Sequence, residues 1–203
     1  MDVFNYFPSC VYRDEHPEWT ENVIKLCQKH INNFISSNPD SKDQNLLQVG
    51  DMSNDPQLRF LIDYLIESSY NILSDQGYDV EKYELFVYGL WYQGIRNNAQ
   101  TNIHIHKSSQ LSGWMFLETP EQGSYPVFYD PRMNKPMVEL DILTTDSILT
   151  TSSPEVHFNN VLPGTIILAN SWLQHRLTPN RTSSITSTIH FVISHKDKLC
   201  NFH

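Results

Sequence analysis

The spacing of apolar residues changes its period once along the chain. Up to about residue 80, apolar residues recur every three or four positions, which predicts amphipathic helices. The first predicted helix covers residues 18–35. The second follows Asp55, a residue type that caps helices well, and has Pro56 at its first position and Gly77 at its end. Both helices would therefore bury one apolar face against another layer.

Beyond residue 83 the period approaches two, as expected for β-strands with one buried face. Short strands separated by Gly, Pro, Asn and Ser predict a mainly β protein with N-terminal helices, built as a cupin-like jelly roll of two sheets. We expect one domain over residues 1–203, with a helical part (about 1–80) packed on a β-core (about 84–195). The predicted strands lie near residues 84–95, 101–106, 111–119, 126–130, 138–145, 155–160, 164–170 and 183–194.

Composition narrows the range of partners. The net charge of −9 makes nucleic acid a poor partner, because phosphate binding requires a basic surface. No apolar run is long enough to cross a bilayer, so no membrane association is expected, and the N-terminus lacks the pattern of a secretory signal. The three cysteines are scattered without paired spacing, which indicates reduced thiols and a cytoplasmic protein.

Two histidines alternate with isoleucines over residues 102–106, in a segment that looks like a strand. Successive side chains of a strand point to opposite faces, so His104 and His106 would share one face. Together with His175, from a distant strand, they could occupy one face of a metal's coordination sphere and leave the other face open. A single histidine on a strand is more often a packed or surface residue, and the alternation distinguishes this pair from an isolated histidine.

Four other histidines have no such context. We interpret them as structural or surface residues, with His157 as a weaker candidate for supporting the ligands. They are His30, His157, His190 and His195.

Several short motifs follow one another in a characteristic order. They are the H-x-H of His104 and His106, the strand start Leu111-Ser112-Gly113, the turn Asp130-Pro131-Arg132, and a closing block with Pro163-Gly164, His175 and Pro179-Asn180. In this order and spacing they resemble the putative 2-oxoglutarate/Fe(II) oxygenase family of bacteria and their phages. The resemblance implies a double-stranded β-helix enzyme, a dioxygenase that hydroxylates its substrate. It also implies that His104, His106 and His175 hold Fe(II) and that 2-oxoglutarate chelates the metal.

Two features depart from what the resemblance implies. His106 stands where many relatives in the wider superfamily carry Asp, and three neutral imidazoles suit Zn or Ni as well as Fe(II). Asp130 could supply an acid, or it could be only a turn residue. The family's Arg, which pairs with the far carboxylate of 2-oxoglutarate, corresponds to Thr186, eleven residues after His175. The hydroxyl of Thr188 remains, whereas Phe116 stands where the family often has Tyr.

A further set of side chains is predicted to contact the co-substrate if the resemblance holds: Ser112, Arg132, Arg181, Thr186 and Thr188. Arg132 and Arg181, like Lys107, either take the place of the missing Arg or are ordinary exposed residues.

Three functions remain open from the sequence. The first is an Fe(II), 2-oxoglutarate-dependent oxygenase acting on an unidentified small molecule or protein side chain. The second is a cupin-like three-histidine dioxygenase that does not use 2-oxoglutarate. The third is a catalytically degenerate jelly roll with a binding or structural role in a phage. A cation at the pocket floor would favour the first function over the second, because it would neutralise the far carboxylate of the co-substrate.

Overall fold

Two antiparallel β-sheets and two α-helices make up the described part of the chain. The computed structural model describes Asp2, residues 8–132 and residues 153–198. The helices are α1 (Pro17–Ser37) and α2 (Arg59–Asp75), with 3-10 turns at Pro39–Asp43, Pro56–Leu58 and Val80–Lys82. The strands are β1 (Val11–Glu15), β2 (Leu46–Val49), β3 (Tyr83–Ile95), β4 (Leu111–Glu118), β5 (Pro126–Tyr129), β6 (Glu155–His157), β7 (Thr165–Asn170), β8 (His175–Leu177) and β9 (Thr186–Asp197).

The larger sheet has six strands in the order β1-β7-β4-β9-β3-β2, and the smaller has three in the order β6-β5-β8. The neighbours in each sheet are far apart in sequence, as they must be when strands alternate between two sheets. This is the double-stranded β-helix expected from the sequence.

Both predicted helices are confirmed. The carboxylate of Asp55 accepts the backbone N–H two residues on at 2.9 Å, and the turn Pro56–Leu58 then leads into α2. Beyond the end of α2, Gly77 has a φ of +90° and the N–H of Tyr78 donates to the carbonyl of Leu73 at 3.0 Å. This left-handed cap satisfies a terminal carbonyl of the helix, and glycine adopts it without a steric penalty.

The helices cover the outer face of the larger sheet through one apolar core. This core contains Cys27 of α1, Leu65 of α2, and alternate residues of the central strands such as Ile189 and Phe191 of β9. Because side chains alternate across a strand, the residues between them face the second sheet. Thr186, Thr188 and His190 of β9 therefore point into the space between the two sheets.

A second apolar cluster fills much of that inner space. It joins the larger sheet to the smaller one, because Trp114 of β4 and Ile167 of β7 belong to the same cluster as Phe128 of β5 and Leu177 of β8. The polar residues on the inner face therefore lie in largely apolar surroundings.

The strands differ from prediction in several places. Residues 101–106 do not form a strand. Only His104 is paired there, in an isolated antiparallel bridge with His175, so the alternation of His and Ile marks an irregular segment at the edge of the smaller sheet. The short strands β1, β2 and β8 were not among the predicted strands, since each has only three to five residues and its alternation is too brief to stand out. The strand expected near residues 138–145 lies outside the described residues.

Candidate metal centre

Three imidazoles meet at one end of the sandwich. His175 begins β8, and its backbone exchanges two hydrogen bonds with His104, of 3.0 and 3.1 Å. His106 is held nearby because its N–H donates to the carbonyl of Ser171 at 2.9 Å. One ring nitrogen from each histidine lies within 4.8 Å of the other two. The structure thus brings together the three histidines predicted as ligands from the sequence, although the first two are not on a regular strand.

Backbone carbonyls orient two of the rings. The Nδ1 atoms of His104 and His175 lie 2.7 Å from the carbonyl oxygens of Asn102 and Leu173, respectively. A carbonyl only accepts, so Nδ1 carries the proton in each ring and the Nε2 lone pair is free. Metal-binding histidines are commonly held in this way, with the second nitrogen donating to a carbonyl or carboxylate.

The donor set fits a divalent transition metal. The Nε2 atom of His175 is buried and has no hydrogen-bond partner. Burying a polar atom in this state costs free energy unless a ligand binds to it. Two nitrogen ligands about 2.0–2.1 Å from one ion lie about 3–4 Å apart, so small ring rotations would bring the three nitrogens onto a single ion. Imidazoles bind Fe, Zn, Ni and Cu, and three of them leave further coordination positions open.

His190 is a fourth imidazole at this site, so the sequence-based prediction that it lacks a site context is wrong. It is only 1% exposed, and its Nε2 atom lies 3.1 Å from Nε2 of His106. Its ring stacks on Trp91 at 4.3 Å and meets Trp114 edge-on at 5.2 Å. The period-two pattern of β9 alone would have placed it on the inner face, in line with Thr186 and Thr188.

Burial keeps these rings neutral. Desolvation, with a smaller contribution from His104, lowers the pKa of His106 to about 4 and that of His175 to about 3. The same cause holds the pKa of His190 well below the ordinary value of 6.5. Neutral imidazoles are the form that binds metal, so protons compete weakly at this site near neutral pH.

Stability of the metal-free protein should therefore fall in mild acid. The unfolded chain takes up protons on these three residues near pH 6.5, while the folded chain does so only at lower pH, so unfolding becomes more favourable as the pH falls from 6.5 towards 4. We expect a lower urea midpoint at pH 5 than at pH 7, and a shallower dependence for His175→Gln. A midpoint that is equal or higher at pH 5 would contradict the neutral, buried state of these rings.

Three of the predicted co-substrate residues face the interior. Ser112, Thr186 and Thr188 are each at most 2% exposed. The hydroxyl of Thr186 is already used, because it accepts from the backbone N–H of Ser124 at 2.9 Å and from the side-chain amide of Asn180 at 3.2 Å. The hydroxyls of Ser112 and Thr188 are buried without a partner.

The predicted cations lie elsewhere. Arg181 is exposed in the turn before β9, and Lys107 is exposed beside His106. Arg132 is also exposed and pairs with Asp130, with Nη2 2.6 Å from Oδ2. Asp130 therefore contacts this guanidinium and is not part of the histidine cluster.

His157 does not support the ligands. Its ring contacts Glu155 at 2.7 Å and the hydroxyl of Tyr125 at 3.3 Å. A surface cavity of about 310 Å³ lies on the helix side of the larger sheet, lined by Tyr78 and Tyr83 among others. It shares only the rim residue Trp172 with the loop before His175, so the metal centre is a separate site.

The fold and the site define a class of protein: a double-stranded β-helix with an imidazole-lined metal centre at its open end. A family model described as "Putative 2OG-Fe(II) oxygenase" matches residues 89–191, half of the chain, and this span contains all four clustered histidines. The chain belongs to this family. It is thus an enzyme of the Fe(II)- and 2-oxoglutarate-dependent oxygenases.

Solved structures share the fold at low sequence identity. An oxidoreductase of the 2OG-Fe(II) oxygenase family from Burkholderia pseudomallei has a TM-score of 0.51 and 12% identity, with 73% of this chain and 66% of that one covered. A prolyl-4-hydroxylase from Pseudomonas putida has a TM-score of 0.58 and 9% identity, with 93% of this chain and 94% of that one covered. The carbocyclase SnoK of nogalamycin biosynthesis has a TM-score of 0.62 and 11% identity, with 96% and 85% covered.

No curated protein matches the chain in sequence. Within the described residues, neither helix combines the length and apolarity that a membrane-spanning segment requires.

Proposed function

We propose that His104, His106 and His175 are the Fe(II) ligands of this oxygenase and that no carboxylate takes part. The observation that supports this most directly is the buried, unpartnered Nε2 of His175, which faces two further imidazoles within 4.8 Å. Asp130 is a poorer third ligand because its carboxylate lies against Arg132. A neutral ligand set leaves the full charge of the ion to be balanced by anionic co-substrate.

Fe(II) and 2-oxoglutarate supply the oxidative chemistry when bound: oxygen is reduced, the co-substrate is decarboxylated to succinate, and a substrate C–H bond is hydroxylated. The chain holds the imidazoles in their neutral, metal-binding tautomers through the carbonyls of Asn102 and Leu173. Trp91 and Trp114 pack against the histidines on the side of β9 and form an aromatic wall there. His190 places its ring Nε2 next to His106, and in the tautomer that carries the proton on Nε2 it can donate to a group bound beside that ligand.

We further propose that the enzyme works in the cytoplasm on a substrate other than nucleic acid. Cys10 and Cys27 are free thiols, and Cys27 is buried in the core beneath the larger sheet. Free, scattered thiols are usual in a reducing compartment. The net charge of −9 disfavours a nucleic-acid substrate.

The function can be tested by loading the full chain with Fe(II) under anaerobic conditions and measuring bound iron. Oxygen and 2-oxoglutarate are then added and succinate is followed. We expect one iron per chain and succinate formation that depends on both iron and oxygen, even without added substrate, as slow uncoupled turnover. Absence of bound iron under these conditions would contradict the proposed ligand set.

One observation favours a second candidate. Within the described residues every Lys and Arg is exposed except Arg96 and Arg176, which are half-buried. Arg96 donates to the carbonyl of Lys42 and Arg176 donates to the side chain of Gln100, so neither is placed as an internal cation for the far carboxylate of 2-oxoglutarate. A three-histidine dioxygenase that uses oxygen without 2-oxoglutarate requires no such cation. Stoichiometric iron without any succinate would favour this candidate.

A further inference from the structure

Unpartnered polar atoms gather on the inner face of the larger sheet, next to the metal centre. Thr188 of β9 lies directly opposite Gln93 of β3, and the Oγ1 of Thr188 and the Oε1 of Gln93 are both buried without a hydrogen-bond partner. The indole Nε1 of Trp114 is also buried and unpartnered, but Trp114 pairs with His190 and so lies level with the metal centre. Buried polar atoms in native proteins almost always have partners, so the unpartnered Thr188–Gln93 pair predicts a polar ligand between the sheets.

The position of this cluster suits the far end of the co-substrate. His190 contacts the metal ligand His106, and Thr188 is the next residue of β9 on the same face. Two residues of a strand span about 7 Å, so the Thr188–Gln93 pair lies roughly one short carbon chain beyond the metal centre. Further along, Thr186 is committed to Ser124 and Asn180, which closes the end of the sandwich.

Among the described residues, the two groups identified at this far end, the hydroxyl of Thr188 and the carboxamide of Gln93, carry no charge. They lie near residue 186, where the family pattern places an Arg. Burying a carboxylate beside neutral groups is costly, whereas a neutral hydrogen-bonding end pairs with them at little cost. Phe116, the other cross-strand neighbour of Thr188, adds only apolar surface.

We propose that Thr188 and Gln93 form a neutral far wall of the co-substrate pocket. With this wall the chain accepts 2-oxo acids whose far end is uncharged about as well as 2-oxoglutarate. This inference rests on the proposed metal centre, since the 2-oxo acid end would be bound at the metal. It assigns the selectivity for the co-substrate to residues on β3 and β9 instead of a buried cation.

The test measures binding of three 2-oxo acids of equal chain length to the anaerobic, Fe(II)-loaded full chain by calorimetry. The acids are 2-oxoglutarate, its far-end methyl ester, which is uncharged at that end and cannot cyclise through an amide nitrogen, and 2-oxovalerate, which ends in a methyl group. We expect the ester to bind at least as tightly as 2-oxoglutarate, and 2-oxovalerate within about tenfold, the range of one neutral hydrogen bond. A preference of more than about tenfold for 2-oxoglutarate over the ester would overturn the neutral wall.

Substitutions in the proposed wall test whether its residues determine which 2-oxo acid binds. Thr188→Val removes the hydroxyl at nearly constant shape, and we expect about 3- to 10-fold weaker binding of the ester with unchanged iron content. The matched control is Thr20→Val on α1, whose hydroxyl is likewise buried and unpartnered but lies outside the sandwich, and which should bind all three acids as wild type does. Wild-type binding in both Thr188→Val and Gln93→Leu would show that these residues do not form the wall.

Iron content separates this inference from the proposed function. If the chain binds no iron, both the proposed metal centre and the neutral wall are contradicted. If the chain binds iron but none of the three acids, the metal centre stands and only the neutral wall is contradicted.

Discussion

Replacing His175 by Ala should abolish metal binding and succinate formation together. His175 offers the most buried of the three proposed ligand nitrogens and is 1% exposed, so its loss removes one of the three donors and leaves a buried space in its place. Loss of groups that merely orient metal ligands costs about 10–100-fold in affinity, and removal of a ligand should cost at least about 100-fold. Iron titration with a competing chelator measures this directly.

The control for this prediction is His195→Ala. His195 lies on the same strand as His190 but is exposed and packs against Tyr83, away from the histidine cluster, so iron affinity should be unchanged. Urea unfolding of the metal-free variants shows whether His175→Ala still folds. A folded His175→Ala protein that retains stoichiometric iron would refute the ligand assignment.

Replacing Gly113 by Ala should strongly destabilise the fold. Gly113 lies in β4, between β7 and β9 at the centre of the larger sheet. A methyl group there would overlap the carbonyl oxygen of Ile167 and lie 2.9 Å from its carbonyl carbon. These are backbone atoms of a paired strand and cannot rotate away. We expect a loss of about 3 kcal/mol or more in the free energy of unfolding, measured by urea denaturation, at the upper end of the cost of overpacking.

Ser112→Ala is the matched control, because it changes the neighbouring residue of the same strand. Its hydroxyl is buried without a partner, so removing it should leave stability unchanged or slightly increased. If Gly113→Ala were as stable as Ser112→Ala, the close approach of β4 and β7 would not limit the residue at this position.

The overall architecture could be predicted from short-range patterns. The change from helical to strand periodicity near residue 80, the capping residues Asp55 and Gly77, and most of the strands all depend on neighbours within a few residues. The short strands β1 and β2 could not be predicted in this way, because their pairing partners, β7 and β3, are distant in sequence and impose the extended conformation.

The histidine cluster could be predicted from the sequence only in part. His104 and His106 stood out because they alternate with isoleucines, and His175 because it closes a family-like block. His190 carried no such mark, since it sits in an apolar strand where a histidine is usually structural. Its role depends on cross-strand register, which places it opposite Trp91 on one side and Trp114 on the other.

Local spacing and residue chemistry were enough to predict the jelly-roll class, to give the acidic net charge and to single out three histidines that the structure brings together. Tertiary structure decided which polar groups share the interior and which are already engaged. The hydroxyl of Thr186 already accepts from Ser124 and Asn180, and the guanidinium of Arg132 donates to Asp130. By contrast, Oγ1 of Thr188 and Oε1 of Gln93 are buried without a hydrogen-bond partner. The physical reason is that burial and hydrogen-bond satisfaction are properties of residues brought together from distant strands, and no periodicity along the chain encodes them.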